Sequence, residues 1–83
     1  MLKDEVLKQL KLCDEKIANT KETLRGLKKD INKSMGFFEH DPNEIYCLMS
    51  LSSSFKEYVY DLDRLYFAKQ ALEATLKEDA HNG

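Results

Sequence analysis

The stretch Glu39-His40-Asp41-Pro42-Asn43-Glu44 decides how this chain of 83 residues folds. Asp41 can cap a helix with its carboxylate, and Pro42 suits the first helical position because its missing N–H would go unpaired there anyway. Glu44 completes a capping-box-like pattern, so a second helix begins here. Upstream, Lys28, Lys29 and Lys33 bring positive charge to the last turns of a preceding helix, and Gly36 can adopt the left-handed conformation that closes one. The punctuation predicts one domain over 1–83: a helix over about 4–35, a turn over about 36–41, a helix over about 42–77 and a frayed tail over 78–83.

Hydrophobic spacing on either side of this joint supports an all-α fold, a two-helix antiparallel coiled-coil hairpin. In the first helix Val6, Leu10, Cys13, Ile17, Thr20, Leu24, Leu27 and Ile31 recur in alternating steps of four and three, the signature of a heptad seam. Charged residues such as Lys8, Lys11, Asp14, Glu15, Glu22 and Arg25 occupy the other faces. In the second helix the main stripe is Ile45, Leu48, Leu51, Phe55, Tyr58, Val59, Leu62, Leu65, Tyr66, Leu72 and Leu76. Residues whose numbers sum to about 78 or 79 then face each other, pairing Leu27 with Leu51, Leu24 with Phe55, Ile17 with Leu62 and Cys13 with Leu65. Ile31 falls opposite Cys47 and Leu48, Thr20 opposite Tyr58, Val6 opposite Leu72 and Leu2 opposite Leu76. Leu10 alone meets a charged residue, Lys69, whose methylene stem can cover it while the ammonium reaches water. Gly26 lies off the seam, either as a tolerated surface glycine or at a close approach. Phe37 and Phe38 could plug the hairpin end or stand exposed at its tip.

A chain this short buries little apolar surface, which already implies a partner for the hairpin. Its 13 basic and 15 acidic residues nearly cancel, so no large field draws it to nucleic acid or to an anionic membrane. Met1 leads directly into charged helix and no run approaches the roughly 18 apolar residues of a bilayer span, which makes the cytoplasm the expected location. Cys13 and Cys47 would lie about 27 Å apart at ~1.5 Å rise per residue, too far for a disulfide, and both read as small buried hydrophobes.

The second helix carries more apolar surface than one neighbour can cover. At about 100° per residue, Tyr46, Met49, Tyr60, Phe67, Ala71 and Ala74 form a second band away from the hairpin stripe. Aromatic residues and methionine are enriched in binding surfaces, so Tyr46, Met49, Tyr60 and Phe67 are the candidate partner-binding residues.

No phosphate-binding glycine loop, Cys-x-x-Cys pair or His-Glu-x-x-His occurs, and two histidines with two distant cysteines offer no set of metal ligands. No cofactor is expected and no enzyme activity. The serines Ser50, Ser52, Ser53 and Ser54 suit close packing better than nucleophilic chemistry, since neither His40 nor His81 is placed to activate one. One helical-hairpin family, the small phosphatases of response-regulator aspartates, carries a Ser-x-x-Leu-Asp signature. Its nearest counterpart here, Ser52-Ser53-Ser54-Phe55-Lys56, has lysine in place of the acidic residue.

The chain resembles the small E-type co-chaperones of type III secretion needle proteins, the YscE/PscE/SsaE/EscE group. The resemblance rests on size, on a charged first helix, on Asp41-Pro42 opening the second, and on the run Ile45, Leu48, Ser52, Phe55, Val59 and Leu62. It implies that the protein pairs with a tetratricopeptide-repeat co-chaperone and that the two hold the needle subunit unpolymerised before export. The competing expectation is a homo-oligomeric helical bundle of regulatory or structural role, in which two hairpins form a homodimer through their spare faces.

Overall fold

The computed structural model describes residues 3–82, with side chains over 3–78, and is an antiparallel hairpin of two long helices. Helix α1 spans Lys3–Phe38, a single 3₁₀ turn covers Pro42–Glu44, and helix α2 spans Ile45–Asn82. The Cα trace measures 64 × 14 × 13 Å. Its radius of gyration, 18.7 Å, exceeds the roughly 12 Å of a compact chain of this length. No described helix is long and apolar enough to cross a membrane.

The joint folds by a different mechanism from the one expected. Gly36 is helical, and among the described residues no glycine has a positive φ. Helix α1 runs on through Phe38 because the Phe37 carbonyl accepts the N–H groups of both His40 (3.0 Å) and Asp41 (2.9 Å) in a right-handed turn. The reversal falls to Asp41, whose backbone is extended at φ −134° and ψ 103°. Lys28, Lys29 and Lys33 therefore lie before the final turn, which carries no basic residue.

Asp41 does cap the 3₁₀ turn that opens α2. Its carboxylate accepts the Asn43 N–H at 3.0 Å, its carbonyl accepts the Glu44 N–H at 3.1 Å, and Pro42 stands where no N–H is needed. The capping box does not close, because the Asp41 N–H that Glu44 would have satisfied is already bonded to Phe37. The Glu44 carboxylate turns instead to α1, where it accepts the Ser34 hydroxyl at 2.7 Å.

At its far end α2 passes the expected stop at Lys77 and continues through Asn82. Lys77-Glu78-Asp79-Ala80 holds no glycine or proline to halt it. Leu2, expected opposite Leu76, lies outside the described residues, as does the side chain of His81.

The seam holds the helices together, and burial along it is graded. Val6 and Ile17 are buried, and Leu10, Cys13, Thr20, Leu24, Leu27 and Ile31 are half-buried. Facing them, Leu48, Leu51, Phe55, Leu62, Leu65, Leu72 and Leu76 are half-buried on α2. The edges of the expected stripe fare worse: Ile45, Tyr58, Val59 and Tyr66 stay exposed, since one helix covers only the middle of so broad a band. Cys47, expected to be buried, is also exposed, and both cysteines are free. Thr20, the polar member of the seam, donates its hydroxyl to the Lys16 carbonyl at 2.8 Å and so brings no unmet hydrogen bond into it.

Candidate protein-binding face

Long side chains on a helix lean toward its N-terminus, and this decides how the polar groups at the seam are met. Lys69 was expected opposite Leu10. Leaning back along α2 carries its ammonium about one turn further, to Asp14, with Nζ 2.7 Å from Oδ1. That hydrogen bond and the carboxylate charge hold the ammonium's pKa above the ordinary lysine range. The pair is open to solvent, so it sets orientation more than stability. Nearby, the Lys21 ammonium lies 5.6 Å from the centre of the Tyr66 ring, a second cross-helix contact at the seam's edge.

The opposite side of α2 is different. Tyr46 is 73% exposed, Phe67 67%, Met49 63% and Tyr60 53%, and helical spacing aligns them along the face turned from α1. From Tyr46 to Phe67 the band runs about 32 Å at ~1.5 Å per residue. Charges lie within it in both signs: Lys56 and Glu57 before Tyr60, Asp63 and Arg64 after it, all exposed. The Lys56 ammonium sits 5.8 Å from the centre of the Tyr60 ring, and Arg64 bonds back to Asp61 at 3.3 Å.

Apolar surface also gathers around the turn. Met35, Phe37 and Phe38 at the end of α1 and Ile45 at the start of α2 are exposed, so the phenylalanines do not plug the hairpin. Phe37 borders an open groove of about 260 Å³ that runs past Ser34 and Glu44 to Cys47 and Leu51. A larger groove of about 520 Å³ follows the edge between Lys16, Asn19 and Thr20 on α1 and Asp61, Arg64, Leu65 and Ala68 on α2. Leu7 and Leu12 are exposed on α1 as well.

Sequence reasoning passed over the bond between Ser34 and Glu44, although the signal was present. The alternating steps that end at Ile31 next land on Ser34, and those of α2, counted back from Leu48, land on Glu44. Their numbers sum to 78, the same register that pairs the leucines. Of the serine cluster only Ser54 is partly buried, while Ser50, Ser52 and Ser53 face outward. Among the described residues, no three His, Cys, Asp or Glu side chains are grouped to hold a metal ion. No family model, curated protein or solved structure matches the chain.

Proposed function

We propose that this protein is a protein-binding co-chaperone that helps keep a type III secretion needle subunit unpolymerised in the cytoplasm, acting with a helical-repeat partner. The observation behind the reading is the outward band of Tyr46, Met49, Tyr60 and Phe67 on a helix whose other face already serves the seam. A polymerising helical subunit needs its apolar surface covered, and a rigid hairpin with a spare apolar face can help cover it or can brace the protein that does. The identity of that subunit and of the repeat partner comes from the family resemblance. The charge balance of the face, with Lys56 and Glu57 adjacent and Asp63 and Arg64 adjacent, suits apolar recognition with a polar surround better than capture of a strongly charged ligand.

The test replaces Tyr60 and Phe67 with aspartate in the tagged full chain and captures partners from the organism that makes it. The expected outcome is loss of the helical-repeat protein and needle-type subunit at unchanged helical circular dichroism. Loss of helicity would show the two aromatics to be core, and undiminished capture would remove the face from the function.

A further inference from the structure

The geometry points to Asp41-Pro42 as a conformational catch, which decides whether α1 pairs with the α2 of its own chain or with that of a second copy. The reversal rests on one residue: Asp41 is extended at φ −134° and ψ 103°, between helix α1 and the 3₁₀ turn that opens α2. At helical values, about −63° and −42°, it would carry α1 straight on into α2. Residues 3–82 would then form one helix about 120 Å long at ~1.5 Å per residue. Two features oppose this. Pro42 crowds the helical conformation of the residue before it, and in a helix interior its ring would meet the Phe38 carbonyl without offering it an N–H. The Asp41 carboxylate, which accepts the Asn43 N–H at 3.0 Å, holds the extended alternative.

The heptad pattern does not stop at the joint. Counted in sevens from Val6, one line of the seam passes through Leu27, Ser34, Asp41, Leu48, Phe55 and Leu62, in the same phase on both sides of the turn. A straightened chain therefore presents both seams on one face, and Phe38 and Ile45, exposed in the hairpin, come onto it beside the joint. Two such chains laid antiparallel recover the pairing already seen. Facing numbers again sum to 79, so Ile17 meets Leu62, Leu24 meets Phe55 and Ile31 meets Leu48, now between copies and each twice. The seam itself identifies the second copy, because what α1 covers in this fold is an α2. Away from the joint the two forms share their contacts, so the turn and the protein concentration decide between them.

Small-angle scattering of the full chain tests this with Asp41→Ala and Pro42→Ala combined. The wild type is expected to keep the length of the hairpin, near 64 Å. An interior proline disfavours a helix by about a hundredfold, and an exchanged dimer holds two, so Pro42→Ala should favour exchange by about ten-thousandfold. Losing the Asp41 cap adds about fivefold per chain. The variant should be a dimer about 120 Å long, with more helical circular dichroism than the wild type because the joint becomes helix. Leu24→Cys with Phe55→Cys, in chains that also carry Cys13→Ser and Cys47→Ser, separates exchange from end-to-end contact of closed hairpins. Oxidation should link the pair within one chain when Asp41-Pro42 is present and between two chains when it is replaced. A variant that stays near 64 Å at about 0.1 mM, loses helicity or links within one chain would overturn the inference. So would a wild type that already has the full length. None of these outcomes bears on what docks on the outer face of α2, which the capture experiment with Tyr60 and Phe67 judges separately.

Discussion

Helices α1 and α2 are nearly equal in length, yet among the described residues the buried side chains, Val6, Ile17 and Ser34, all belong to α1. The contrast arises from the width of their apolar faces. The seam of α1 is narrow, close to one residue per turn, so each member can sink between rows of α2. The stripe of α2 is broad, with neighbours such as Tyr58 and Val59 or Leu65 and Tyr66 both apolar, and it wraps the narrow seam while its own margins stay in water. A hairpin built this way closes one helix and leaves the other open. The exposed large apolar side chains therefore lie mostly on α2, with Leu7, Leu12, Met35, Phe37 and Phe38 the described exceptions on α1.

The largest effect should come from emptying the closed side. Ile17→Ala removes a buried side chain from the middle of the seam and is expected to cost about 2–4 kcal/mol, read as a lower urea midpoint or, in a hairpin this thin, as outright loss of helical circular dichroism. The matching change across the seam, Leu62→Ala, should cost distinctly less because Leu62 is only half-buried. Equal losses would break the comparison and show that α2 is as well covered as α1.

Next in size is the polar bond beside the turn. Ser34→Ala deprives the Glu44 carboxylate of its donor, and an expected loss of about 1 kcal/mol reflects a charged acceptor that water can partly reach. A double-mutant cycle with Glu44→Ala should return most of that as coupling between the two residues. Additive losses would mean that the hydroxyl matters for packing alone, and that α1's third buried position owes nothing to its partner.

The hairpin, its seam and most of its register were legible because period, capping residues and turn chemistry agreed with one another. What was misread came from reading single residues by their commonest use. Gly36 has the identity of a helix cap, but the Phe37 carbonyl found two right-handed donors and the helix did not need one. Glu44 has the identity of a capping-box partner, but Asp41's N–H was already taken. Ser34 was passed over, yet its place one step beyond Ile31 calls for burial, and Glu44 supplies the acceptor that makes burial tolerable. The candidate binding residues were legible as a face, since Tyr46, Met49, Tyr60 and Phe67 all stand exposed on it. Exposure at Met35 and Ile45 was not, because periodicity ranks residues by angle and says nothing of where one helix's cover ends.

The smallest effect probes the open surface of α1, at its two helical glycines. A methyl group built on Gly26 or on Gly36 meets nothing within 4 Å, and neither residue has the positive φ that only glycine tolerates. Each change to alanine should therefore stabilise the hairpin by about 0.5–1 kcal/mol, through helix propensity alone, and raise the thermal midpoint by a few degrees. Protein concentration sharpens the measurement. If α1 contributes only its seam, the gain at Gly26 stays the same whether the chain is dilute or concentrated. If the gain shrinks or reverses as concentration rises, copies of the chain pack against α1 near Gly26. The division between a closed helix and an open one would then have to be redrawn, with part of the contact surface moved to α1.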